Sequence, residues 1–218
     1  MKPWRKEPMD KILLADIGNT HFHIYDGNTV EHLSYNEAIE KYMDNEMPYI
    51  SVNHELGDKI KHIKSWKNIS SSLCINGEYE TMGVDRKALC LSHKNGILID
   101  AGSAITVDVV KEGKYMGGFI LPGLKAYLES YKAISPALDV SLEEKLSLTQ
   151  LPLTTKEQIS YGIIASIKSL IDIHRETKTL YFTGGDGKFL STFFKDALYD
   201  ETLVFQGMIK AIKDKKIC

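Results

Sequence analysis

Twice in this chain an apolar run stops on a carboxylate. Residues 12–30 read ILLADIGNTHFHIYDGNTV, and residues 97–115 read ILIDAGSAITVDVVKEGKY. In each, an Asp, any residue, a Gly and a small polar residue follow the apolar run. Apolar alternation then resumes at once, with Phe22 and Ile24 in the first copy and Ile105, Val107 and Val109 in the second. Glycine in such a turn lets the backbone come close to a ligand. The turn's N–H groups and neighbouring hydroxyls suit phosphate oxygens. The carboxylate repels phosphate but can hold a cation that bridges to it. One copy alone is an ordinary Asx turn; two acting together would grip a polyphosphate.

Two further segments carry chemistry. In GVDR (83–86) an Asp stands beside an Arg. A carboxylate within reach of an alcohol can accept its proton, and a guanidinium can pair with an acidic substrate. The plain alternative is that Asp85 caps a helix and Arg86 is exposed. In YFTGGDGK (181–188) a glycine pair after a strand leaves room for a flat ligand such as a nucleoside. It fits equally a strand–turn–helix corner with Asp186 as the cap.

The elements that position these segments follow from periodicity and turn signals. Strands are expected at 11–16, 20–26, 29–33, 48–52 and near 72–76, with helices at 54–64 (N-cap Asn53) and 85–94. The second half repeats three strands at 96–101, 104–111 and 114–121, and LPGL then opens a helix over 123–134. A long helix starts at Thr154, where Glu157 stands three residues on as in a capping box; Ile159, Ile163, Ile167 and Leu170 recur at helical spacing. A strand at 179–183 and a helix at 206–216 complete the pattern. Strand triplets followed by helices, twice, predict an α/β protein of two similar lobes, 1–95 and 96–218.

A chain of 218 residues with 43% hydrophobic and 26% charged residues is an ordinary globular composition. The net charge of −2 gives no bulk field for nucleic acid or membrane. The first ten residues are not a signal peptide, and no apolar run is long enough to span a bilayer. The cytoplasm is the expected compartment. Cys74, Cys90 and Cys218 show no metal-binding spacing and are expected as reduced thiols. The seven histidines form no metal motif.

DIGNT (16–20), GVDR (83–86), DAGSAITVD (100–108), GGFILPGL (117–124) and TGG (183–185) stand in the order found in type III pantothenate kinases. The chain resembles that family over about residues 11–208. The wider likeness is to the acetate-kinase, sugar-kinase, heat-shock-chaperone and actin superfamily. The resemblance implies two ribonuclease-H-like lobes of an actin-like ATPase fold, with mixed sheets flanked by helices. It implies ATP-dependent phosphorylation of the 4′-hydroxyl of pantothenate, the first step towards coenzyme A, by a homodimer using magnesium and a monovalent cation, potassium or ammonium.

Carried over by position, Asp16, Ile17, Gly18, Asn19, Thr20, His21, Phe22 and His23 form the first phosphate hairpin, with Asp16 orienting magnesium through water. Small polar residues are more usual where His21, Phe22 and His23 stand. Tyr79, Gly83, Val84, Asp85 and Arg86 contact pantothenate, and Asp85 is the general base. Asp100 binds the monovalent cation, Ser103 contacts ATP, Gly184 and Gly185 line the adenosine, and Thr155 reaches pantothenate. The rival readings are an ATP-binding regulator without catalysis and a kinase of another small hydroxy acid or sugar.

Overall fold

The computed structural model describes residues 12–18 and 21–214 and divides into two compact units. One runs to Ser92 and takes up the chain again from Thr202; the other is His93–Glu201.

The first unit opens on β1 (Leu14–Ile17), β2 (Phe22–Tyr25) and β3 (Val30–Leu33), an antiparallel meander. Helix α1 (Tyr35–Tyr42) then returns the chain to β4 (Met47–Ser51), parallel to β1. Helix α2 (His54–Ile60) leads to β5 (Trp66–Asn68), parallel to β4. The sheet order is β3-β2-β1-β4-β5. Alternation turns Ala15, Ile17, Phe22, Ile24, Met47 and Tyr49 onto one face, where they pack with Ala38, Ile60 and Trp66.

Two helix starts are built locally. Ser34 Oγ accepts the N–H of Glu37 at 3.4 Å, and Glu37 Oε2 accepts the Ser34 N–H at 2.8 Å, a complete capping box on α1. Asn53 caps α2 as expected, its Oδ1 accepting the Leu56 N–H at 3.0 Å.

The second unit repeats the plan. β6 (Gly96–Ala101), β7 (Ala104–Lys111) and β8 (Lys114–Pro122) form the meander. Helices α4 (Leu124–Ile134) and α5 (Thr155–Arg175) precede β9 (Leu180–Thr183), which is parallel to β6. The short α6 (Gly187–Ser191) and β10 (Leu198–Tyr199) follow, giving the order β10-β9-β6-β7-β8. Ile159, Ile163, Ile164, Ile167 and Ile171 of α5 cover the inner face of this sheet. Thr154 is the N-cap of α5, its hydroxyl accepting the Glu157 N–H at 3.4 Å.

The structure corrects the sequence reading in several places. Helix α1, β5 and β10 were not expected. The segment expected as a strand near 72–76 instead follows a 3-10 turn at Ser70–Ser72. The Asp186 side chain makes no capping bond to α6. Cys90 is free and buried, as expected, and Cys218 lies outside the described residues.

The lobe boundaries also change, because the last helix, α7 (Leu203–Asp214), belongs to the first unit. Its buried face, Leu203, Val204, Phe205, Met208 and Ala211, covers that unit's helix α3 (Val84–Ser92) and β1. Phe205 stacks on Tyr25 with ring centroids 5.3 Å apart. Gly207 lies so close to α3 that a Cβ would run into the Ala88 carbonyl. Overpacking of this kind costs about 1–3 kcal/mol. Gly207→Ala is therefore expected to lower stability by that amount, read as an earlier midpoint in urea unfolding.

Candidate active site

The substrate segment is assembled within the first unit. The Gly83 carbonyl accepts the Lys87 N–H at 3.0 Å, so Gly83 stands at the N-cap position of α3 and Asp85 lies inside its first turn. Asp85 Oδ1 accepts the N–H of Arg86 at 2.8 Å. It also stands 2.5 Å from where a side chain on Gly83 would begin, so any larger residue at 83 would push the Asp85 carboxylate from this position. Burial pushes the Asp85 carboxyl above its usual range, against the opposing pull of the Arg86 backbone N–H and guanidinium.

Arg86 is only 6% exposed, which excludes the reading of an exposed arginine beside a capping aspartate. Its Nη1 donates to the Tyr79 hydroxyl at 2.7 Å, and its guanidinium lies over the Tyr79 ring. The next residue, Lys87, pairs with Glu78 at 2.8 Å, and Glu78 accepts the Ile75 N–H at 2.7 Å. These bonds staple the segment 75–79 onto α3. Tyr79, Gly83, Asp85 and Arg86 are thus brought together.

The two phosphate hairpins occupy equivalent places. In the first unit, register sets Asp16 opposite His23 on β2 and beside Ile50 on β4. The turn closes with the Gly18 N–H donating to the His21 carbonyl at 3.1 Å. Asn19 and Thr20 lie outside the described residues. Ile17 and Phe22 are buried in the core, Phe22 against Tyr35 and Trp66, which leaves only their backbone for a ligand.

In the second unit, register sets Asp100 between Thr106 on β7 and Thr183 on β9. Ile99, Ala101, Ile105, Val107 and Phe182 face the core, so Asp100, Thr106 and Thr183 share the opposite face. Thr106 Oγ1 is buried and has no hydrogen-bond partner among the described residues. Ser103 is exposed in the turn. Gly184 has φ of +84°, and a Cβ there would run into Asp100 Oδ1 and the Ala101 carbonyl. The Asp186 N–H donates to that carbonyl at 2.9 Å. Gly185 has open space around it.

Gly123, whose place in the site sequence reasoning missed, grips the turn from its other side. Its N–H donates to the Ser103 carbonyl at 3.2 Å, and a Cβ would collide with the carbonyls of Gly102 and Ser103. The signal was the glycine of LPGL, read only as a helix start. Thr155 is exposed at the first position of α5, one residue past the cap.

Known proteins match this architecture. The family model for type III pantothenate kinase matches residues 62–176. A type III pantothenate kinase of Helicobacter hepaticus is 44% identical over 206 residues, covering 93% of this chain and 98% of that protein. One from Campylobacter jejuni is 39% identical over 203 residues, covering 93% and 97%. A solved structure from Campylobacter jejuni, assigned to the Baf family of transcriptional activators, superposes with a TM-score of 0.84 at 37% identity, covering 93% of this chain and 98% of that one. The ADPNP-bound activator of 2-hydroxyisocaproyl-CoA dehydratase from Clostridium difficile, 10% identical with a TM-score of 0.55, shares the fold over 94% of this chain and 95% of that one.

The partial burial of the Asp85 carboxylate has a measurable cost. Its pKa is raised in the folded state, so ionisation opposes folding above that pKa and has no effect once both states are protonated. Asp85→Asn is expected to be more stable than wild type at pH 7. The gain should fade as pH falls from the raised pKa of the folded state to the usual aspartate value, which paired urea titrations at several pH values will read.

Proposed function

Because the chain belongs to the type III pantothenate kinase family, we propose that it transfers the γ-phosphoryl group of ATP to the 4′-hydroxyl of pantothenate, the first step of coenzyme A synthesis. The observation that carries this reading is the placing of a buried Arg86 beside a half-buried Asp85, whose carboxyl is held above its usual range, at the head of α3. An ATP switch without chemistry has no use for such a pair, so the Baf name of the Campylobacter structure does not favour a regulator here.

The steps follow from the groups present. The Arg86 guanidinium, oriented by its Nη1 bond to Tyr79, is the positive charge that would meet the pantothenate carboxylate. Asp85 accepts the alcohol proton as the oxygen attacks the γ-phosphorus. The bond from that phosphorus to the bridging oxygen breaks, and ADP leaves. The raised pKa suits the task, since a base closer to neutrality takes a proton more readily from an alcohol.

The donor sets fit the cations. Asp16 offers one carboxylate oxygen group, the kind of contact magnesium accepts while keeping most of its water. Asp100, Thr106 and Thr183 offer only oxygens on one sheet face, and the buried Thr106 hydroxyl gains a partner if potassium or ammonium lies there. Bound cations would offset phosphate charge during transfer. Exposed Met116, Ile120, Ile134, Leu153 and Ile173 of the second unit are apolar surface that a second copy of the chain would cover. In that homodimer Thr155, two residues past Leu153, is the residue we assign to pantothenate. The cytoplasm, where ATP is supplied, is the setting we assign.

The decisive experiment mixes the protein with ATP, magnesium, potassium and pantothenate and follows ADP; release should depend on pantothenate. Asp85→Asn should cut turnover by roughly 10²-fold or more while nucleotide binding persists. Wild-type kcat/KM should fall on the acid side as Asp85 takes up a proton. Thr106→Val keeps the shape and removes the hydroxyl. It should raise the half-saturating potassium concentration roughly three- to tenfold, with a melting temperature in potassium-free buffer no lower than wild type.

A further inference from the structure

His23 and His32 face each other across β2 and β3, and the same row continues to Asp16 on β1. Phe22 and Ile24 flank His23 and point into the core, so the imidazole stands on the ligand side of the sheet. His23 Nδ1 lies 2.6 Å from His32 Nδ1, with the rings edge to face at 4.8 Å. At that distance one nitrogen carries a hydrogen and the other a lone pair. The opposite end of the His23 ring is aimed at the first hairpin. Its Nε2 comes within 4.0 Å of the point where a side chain on Gly18 would begin.

Which nitrogen of His23 carries its hydrogen decides what the hairpin meets. Burial, then the charges of His32 and His21, hold His23 down to about 4, so the ring is neutral at physiological pH and has a single N–H. Phosphate oxygens beside Gly18 would be repelled by a bare Nε2 lone pair and attracted by an Nε2–H. A hydrogen donated from His32 into Nδ1 leaves His23 with its own hydrogen on Nε2. His32 is exposed, and can complete its own hydrogen bonding with water.

We propose that His32 is a positioning residue for ATP: its Nδ1–H fixes the tautomer of His23 so that Nε2–H faces the phosphate hairpin. This rests on reading the first hairpin as an ATP phosphate site. The donor then comes from a side chain where small polar residues are more usual, and it is oriented by a partner on the next strand.

The test is a long-range proton–nitrogen NMR spectrum of the full-length protein carrying nitrogen-15 histidine, with and without magnesium and the unreactive analogue AMPPNP. Wild type should show His23 with hydrogen on Nε2. His32→Phe should give a mixture of tautomers and weaken AMPPNP roughly three- to tenfold. His32→Asn, whose amide can still donate, should keep most of the affinity. A hydrogen on Nδ1 of His23 in wild type would overturn the proposal. So would a His32→Phe protein with unchanged tautomer, or with unchanged affinity. If His32→Phe does not fold, the wild-type spectrum and His32→Asn decide. A wild type with the expected tautomer that binds AMPPNP yet releases no ADP with pantothenate would overturn the kinase reading and leave this role standing.

Discussion

In both sheets one face is committed to the core, and that commitment fixes where every polar residue of the central strands must go. β1 and β6 each bury their alternate residues, Ala15 and Ile17 in one and Ile99 and Ala101 in the other. The residues between them, Asp16 and Asp100, have no choice but the other face. A slip of one residue would turn both carboxylates into the core, so register and function are selected together. The neighbours follow by the same rule: His23 and His32 beside Asp16, Thr106 and Thr183 beside Asp100.

The substrate segment obeys a different constraint. A guanidinium at 6% exposure is tolerated only where its hydrogen bonds are met and its charge is balanced. The Tyr79 hydroxyl and ring supply part of this, and the adjacent Lys87–Glu78 pair holds Tyr79's segment in place. Asp85 is left in a surrounding that disfavours its charge. Stability is given up at one carboxylate so that it accepts a proton more readily, a common arrangement in active sites.

Much of this was legible in the sequence because it is local. The doubled Asp-x-Gly hairpins, the Asn53 cap and the isoleucine stripe of α5 are short-range patterns whose physics needs no partner. The Ser34–Glu37 spacing that caps α1 was equally visible but sat on a short segment with little apolar periodicity. What the sequence hid depends on distant pairings. β5 replaces the strand expected near 72–76 because Met47, Pro48 and Tyr49 pair with Trp66, Lys67 and Asn68. The glycine of LPGL matters for the carbonyls it approaches some twenty residues earlier in the chain. Thr106 looked like one strand residue among several until its hydroxyl proved buried opposite Asp100. Phe22 and Ile17 belong to a ligand hairpin by position, yet their side chains serve the core.

The return of α7 to α3 sets an order of events during synthesis. As the ribosome releases the chain from its N-terminus, His93–Glu201 is contiguous and can fold as soon as it emerges. The unit that begins with β1 is translated earlier, but Tyr25 and Ala88 receive Phe205 and Gly207 only after the whole of His93–Glu201 has been made. The earlier unit therefore waits for a helix made after the other unit is complete. A chain truncated before Leu203 would carry a finished second unit and an open first one, with the apolar face of α3 left bare to chaperones and proteases.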